Sequence, residues 1–145
     1  MVPLRIVRDD LGWEDAACPP MAEPGPALRG FLDRLRWVAL GCRAAARVDL
    51  FEACAVLSSD RHVADTAHAE VLVKGMSQAI GKPAVFYRPG VAEISFDEAW
   101  ILRIVVAMDG GDDASLLFLL RSRVHPAACR NLGFLLRNAR DRLAV

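Results

Sequence analysis

Three titratable residues near the middle of the chain are of types that bind metals. His62, Asp65 and His68 spread across about 120° of one flank if the segment is helical, because each residue advances a helix by about 100°. Metal-binding pairs on helices are spaced three or four residues apart, whereas these two histidines are six apart. We therefore predict a solvated polar flank, with no metal and no other cofactor.

Nucleophilic catalysis has no better support. The chain has four cysteines without zinc or redox spacing, namely Cys18, Cys42, Cys54 and Cys129. None stands in a recognisable nucleophile motif with a histidine partner, and His125, before Pro126, is predicted to be a linker or helix cap. With no secretory signal apparent in the first ten residues, we expect reduced, mostly buried thiols and a cytoplasmic protein. An enzyme is the least supported class.

Arg103 is the only charged residue between Glu98 and Asp109, in a segment with the pattern of an all-round apolar helix. Such a helix normally forms the buried centre of a bundle. A buried guanidinium must be paired, and a paired one could mark an anion pocket between helices. The favoured alternative is that its head reaches water. A small-molecule or anion-binding domain with Arg103 in its pocket is therefore the runner-up function.

Nucleic-acid binding ranks third. The segment 97–124 has the outline of a helix-turn-helix, but its second helix would begin with Asp112 and Asp113 and continue into five apolar residues. A recognition helix needs polar side chains at that end to reach base edges. Residues 112–145 carry six arginines against three aspartates, a modest net charge of +3 without an aromatic-interleaved stripe.

Two regions position these residues. Residues 1–26 end in a stretch with four prolines, at positions 19, 20, 24 and 26, and are predicted to be an arm or linker with Trp13 as its anchor. Residues 27–145 are predicted to form one helical domain. The expected helices cover about 27–42, 48–57, 62–80, 96–109, 112–124 and 126–143. The second expected helix carries Leu50, Phe51, Cys54 and Leu57 at the three- and four-residue spacing of a buried face. We predict a mainly α single-domain bundle of five or six helices.

Helix ends have recognisable signals. Ser58, Ser59 and Asp60 offer N-cap chemistry for the third helix, and Gly81 with Pro83 would end it. The segment 84–95 contains Pro89-Gly90, which favours a type II turn, so a short β-hairpin and an irregular loop both stay open. Ser95 and Glu98 form a capping box that opens the fourth helix.

Composition bears on function through its apolar excess. Hydrophobic residues make up 54% of the chain, yet no stretch is long and uninterrupted enough to span a membrane. Acidic and basic residues balance at 18 each, so the chain has no net positive charge that would attract nucleic acid or an anionic membrane. Sixteen of the 18 basic residues are arginine, the usage of a GC-rich genome, and suggest a bacterial source.

Some apolar residues lie outside the predicted buried faces of their helices, which suggests that another chain covers them. Trp37 and Leu40 lie beside arginines on the first helix, between Gly30 and Gly41, and Phe134 projects among Arg130 and Arg137 on the last. Large aromatics ringed by arginine resemble interface hot spots. The contact candidates are Trp37, Leu40, Arg130, Phe134 and Arg137.

The leading function is therefore a regulatory or adaptor protein that acts through self-association, as a homodimer, or through a protein partner. The alternative is that the bundle itself or the 1–26 arm covers these residues. Phe134→Ala is expected to weaken association while leaving the monomer fold largely intact.

Overall fold

The computed structural model describes residues 23–42, 49–59 and 64–143. These residues form six helices and no strand. The helices are α1 (Pro26–Gly41), α2 (Leu50–Ser59), α3 (Ala67–Ile80), α4 (Phe96–Asp109), α5 (Asp113–Arg123) and α6 (Pro126–Leu143). The predicted mainly α single-domain bundle is confirmed. The predicted arm lies outside the described residues apart from 23–26.

The last helix organises the core. α6 packs against each of the five other described helices, most extensively against α3. Its buried side carries the apolar stripe expected from the three- and four-residue spacing, namely Leu132, Leu135, Leu136, Ala139 and Leu143. At its first turn Cys129 is buried, whereas Ala128, which the spacing placed on the stripe, is half-buried. α4 is also buried around most of its circumference, as its continuous apolar sequence predicts, although Val106 is 48% exposed.

The short helix α2 departs from its predicted packing. Leu50 and Cys54 are buried, but Phe51 is 76% exposed, although the sequence pattern assigned it to the core stripe. Adjacent residues point about 100° apart on a helix, so a short helix that buries Leu50 and Cys54 turns Phe51 outward.

The start of α3 is a second correction. α3 begins at Ala67 rather than near residue 62. Ser58 and Ser59 do not cap it, because both lie in the last turn of α2 and their hydroxyls donate to the carbonyl of Ala55, at 2.9 and 3.1 Å. The end of α3 is as predicted, since Gly81 adopts φ +78° and its N–H donates to the backbone carbonyl of Ser77.

The connection from α3 to α4 is an irregular loop, one of the two predicted alternatives. Residues 83–88 carry no assigned secondary structure. A type II turn follows, in which Gly90 has φ +88° and the Val91 N–H donates to the Arg88 carbonyl at 3.2 Å. The predicted capping box is confirmed: Glu98 N–H donates to Ser95 Oγ, and Ser95 N–H donates to the Glu98 carboxylate.

Candidate interaction surfaces

The most polar part of the interior is an ion pair between α1 and α4. Arg36 and Glu98 are both completely buried, and the guanidinium contacts the carboxylate twice, Nε to Oε1 and Nη2 to Oε2, each at 2.9 Å. Arg36 is one of the arginines beside Trp37 that helical spacing places off the apolar stripe of α1, and its burial overturns that expectation. The side chain reaches inward from the edge of the apolar stripe, one turn after buried Leu32.

The remaining donors of Arg36 hold the loop between α3 and α4. Nη1 donates to the carbonyls of Val91 (2.7 Å) and Arg88 (3.4 Å), and Nη2 donates to the carbonyl of Glu93 (2.7 Å). A guanidinium has five N–H groups, so all of them are used within the chain. The hydrogen bond to Glu98 raises the pKa of Arg36 further. Arg36 therefore fastens a loop and has no donor left for a ligand.

A second anchor holds the start of the same loop. Asp97 accepts from the Val85 N–H at 2.7 Å and from Arg123 Nη2 at 2.6 Å. The Arg123 guanidinium also lies over the rings of Phe96 and Trp100, with centroid distances of 4.8 and 5.0 Å. The two carboxylates in the first turn of α4, those of Asp97 and Glu98, therefore both hold the loop in place and have a structural role.

His68 is the clearest departure from the predicted polar flank. It is 2% exposed, and its ring packs against Phe134 with 5.5 Å between centroids. Burial, and secondarily the charge of Arg142, lower its pKa. Asp65 stays exposed and His62 lies outside the described residues. The described residues contain no group of three or more His, Cys, Asp or Glu side chains able to hold a metal.

His125 and the cysteines occupy structural positions. The His125 Nδ1 atom accepts from the Ala127 N–H at 3.1 Å at the start of α6, which confirms the predicted cap. Cys54 and Cys129 are buried, Cys42 is half-buried, and all three are free thiols. Burial raises the pKa of Cys54, so this thiol is a packing residue and a poor nucleophile.

The predicted anion residue, Arg103, is half-buried on α4. Arg103 lines none of four surface grooves that lie among the described residues. The groove beside the loop, about 440 Å³ in volume, is instead lined by Leu40, Cys42 and residues 84–89, with Arg36 at its base. The donors of Arg36 are all taken, so its guanidinium is not available to an anion in that groove.

The five predicted contact residues are distributed over separate places. Trp37 is 63% exposed and borders a groove of about 430 Å³ with Glu70 and Lys74 on α3. Leu40 is 37% exposed and lines the neighbouring groove beside the loop. The two residues therefore share the outer side of α1 but face different concavities.

The α6 candidates lie on another side of the bundle. Phe134 is half-buried at the edge of the core, and with exposed Arg130 it lines a groove of about 350 Å³ between α2 and α6. The exposed ring of Phe51 lines the same groove. Arg137 is exposed but lies outside the grooves described. Sequence reasoning thus located Phe134 and Arg130 together and missed their aromatic neighbour.

The helix α5 was predicted, but the exposed apolar side that it carries was not. Phe118 is 72% exposed and Leu117 is 43% exposed, whereas Leu120 on the other side is buried. Five consecutive apolar residues on an 11-residue helix were the available signal, because a helix packed on one side cannot bury all of them. None of the described helices combines the length and the apolarity needed to cross a membrane.

No protein-family model, curated protein or solved structure matches this chain.

Proposed function

We propose that this chain is a protein-interaction module that associates with a second copy of itself. The observation that carries the proposal is the exposure of three large aromatic side chains, Phe51 at 76%, Phe118 at 72% and Trp37 at 63%. Aromatic side chains supply much of the binding energy where proteins meet, because each removes a large apolar area from water. Trp37 and Phe118 each have a further exposed apolar neighbour, Leu40 and Leu117 respectively.

The use of the buried polar groups supports an interaction role over a ligand-binding role. Arg36 and Glu98 fasten the loop 84–95 to α1 and α4, and Asp97 accepts from the Val85 N–H of the same loop and from Arg123 on α5. A binding pocket for a small molecule normally reserves a few convergent polar groups for its ligand. In this fold Arg36, Glu98 and Asp97 bond the backbone of the chain's own loop, and large apolar side chains lie on the outside.

The kind of role and the cellular setting of the protein extend this proposal. A regulatory or adaptor role is proposed because such a role is carried out through contacts between protein chains. A cytoplasmic, bacterial setting is supported by three free thiols, two of them buried, and by the arginine-rich composition.

The solution mass of the full chain tests the proposal. Light scattering coupled to size-exclusion chromatography, over a dilution series, is expected to give a mass of twice the 15.8 kDa chain at high concentration and a lower mass on dilution. A mass of one chain up to the highest soluble concentration would overturn self-association.

A further inference from the structure

The helix α5 has an apolar side without a partner in the described chain. α5 packs against α4 and α6 through one side only, the side that carries Leu120. The opposite side consists of two rows with four-residue spacing, which we call the α5 face: Asp113, Leu117 and Arg121 in one row, and Ala114, Phe118 and Ser122 in the other. All six of these residues are exposed.

The charges on the α5 face are arranged in a self-complementary way. Asp113 lies one turn before Leu117 and Arg121 lies one turn after it, so an acid and a base flank the apolar centre at equal distances. Neither charge forms a salt bridge with another residue in the described part of the chain. A partner surface that fits this face must present a base, an apolar centre and an acid in the reverse order.

A second copy of the same helix, run antiparallel, presents that order. A two-fold axis through Leu117 sets Asp113 of each copy opposite Arg121 of the other, which gives two equivalent ion pairs in one contact. A parallel arrangement would bring like charges together. The rings of Phe118 then lie beside the axis, and the small side chains of Ala114 and Ser122, one turn to either side, leave room for the partner helix to approach.

From these relationships we infer that the α5 face is the self-association surface, with two copies packed antiparallel about an axis through Leu117. The inference rests on the proposed function, because it names the surface that the proposed self-association uses. The chain offers a matched control in Phe51, an equally exposed phenylalanine on α2, away from this face.

The first test replaces each phenylalanine separately. Phe118→Ser is expected to raise the dimer dissociation constant about tenfold or more in sedimentation measurements, as loss of a central aromatic contact does. Phe51→Ser is expected to leave that constant within about twofold, as for a residue outside an interface. Both variants should keep the circular dichroism of the parent. A dimer that survives Phe118→Ser, or that Phe51→Ser weakens equally, would overturn the inference.

The second test checks the antiparallel register by charge reversal. Asp113→Lys or Arg121→Glu alone sets like charges opposite each other twice in the homodimer, so each variant is expected to associate more weakly than the parent. An equal mixture of the two variants restores both ion pairs in the mixed dimer and is expected to recover association. A mixture no tighter than its components would overturn the register.

These outcomes separate the two claims. A parent chain that is monomeric at every concentration contradicts the proposed function itself. A parent dimer that is unaffected by every α5 variant contradicts the α5 assignment and leaves the proposed function standing.

Discussion

The guanidinium of Arg36 and the carboxylate of Glu98 meet in a two-point contact, both N–O distances 2.9 Å, at a place where neither side chain is exposed. The pair joins α1 to the N-terminus of α4. The remaining donors of Arg36 bond three backbone carbonyls of the loop between α3 and α4. Glu98 in turn accepts from the N–H groups of Tyr87 and Ser95. Two buried side chains thus set the path of a loop that has no regular hydrogen bonding of its own.

Arg36→Met is expected to lower the free energy of unfolding by about 3–5 kcal/mol, because it leaves a buried carboxylate without its counter-ion. Urea denaturation measures the change. Arg137→Met, the same replacement at an exposed arginine, is expected to stay within about 0.5 kcal/mol of the parent. Adding Glu98→Met to Arg36→Met should cost less than the sum of the single changes. An Arg36→Met variant as stable as the Arg137→Met control would contradict this account of the pair.

His68 is expected to make stability fall in mild acid. Burial lowers its pKa in the folded chain below the ordinary value of 6.5, so below that pH the unfolded chain binds the proton more readily. The free energy of unfolding is therefore at its full value above pH 6.5, and it falls as the pH drops toward the folded pKa. The slope reaches at most about 1.4 kcal/mol per pH unit for one proton. Arg142, which contacts exposed Asp65 at 3.8 Å, opposes the same protonation.

His68→Leu isolates this contribution. Urea titrations at a series of pH values should show a flatter profile for this variant than for the parent from roughly pH 6.5 downward. Parallel profiles for His68→Leu and the parent would show that His68 does not titrate as its burial requires.

Replacing the two tryptophans of the described helices by alanine is expected to change the free energy of unfolding by very different amounts. Trp100 is 3% exposed, and its indole N–H donates to the Leu119 carbonyl at 3.0 Å, so Trp100→Ala should cost about 3–5 kcal/mol. Trp37→Ala removes a side chain that is 63% exposed and should change stability by no more than about 0.5 kcal/mol. Thermal unfolding of both variants compares them directly. Similar losses in the two variants would mean that Trp37 is packed against the fold.

Two helix-terminal glycines make a further matched pair. Gly81 has φ +78°, where an L side chain is strained, so Gly81→Ala should cost about 1–2 kcal/mol. Gly41 is the last residue of α1 and has open space where a Cβ would lie. Gly41→Ala is therefore expected to be neutral or to stabilise by up to about 1 kcal/mol, through helix propensity. Equal effects of the two substitutions in chemical denaturation would contradict the assigned conformations.

Features that depend on local sequence were predictable. The capping box of Ser95 and Glu98, the stop at Gly81 and the buried stripe of α6 each depend on residues within a few turns of one another. The burial of Arg36 was not predictable in this way, because its partner Glu98 is 62 residues away and a lone arginine at the edge of an apolar stripe resembles a surface residue.

The candidate surfaces show the same division. Trp37 and Leu40 fall off the apolar stripe of α1, so their exposure could be predicted from helical periodicity. Phe51 and Phe118 lie in segments where most residues are apolar, and periodicity does not say which side of such a helix faces the core. Tertiary packing decides it: α2, packed against α3 and α6, turns Cys54 inward and Phe51 outward, and α5, packed against α4 and α6, turns Leu120 inward and Phe118 outward.

The most direct test of self-association through α5 is a cross-link at its proposed two-fold axis. Leu117→Cys places a thiol where each copy meets its own counterpart, and a disulfide forms only when the Cα atoms come within about 7 Å. Mild oxidation is expected to convert this variant to a covalent dimer on a non-reducing gel. Val56→Cys, on an exposed part of α2, and the parent chain should remain uncross-linked under the same conditions. Failure of the Leu117→Cys chain to cross-link, or equal cross-linking of the Val56→Cys chain, would contradict the account.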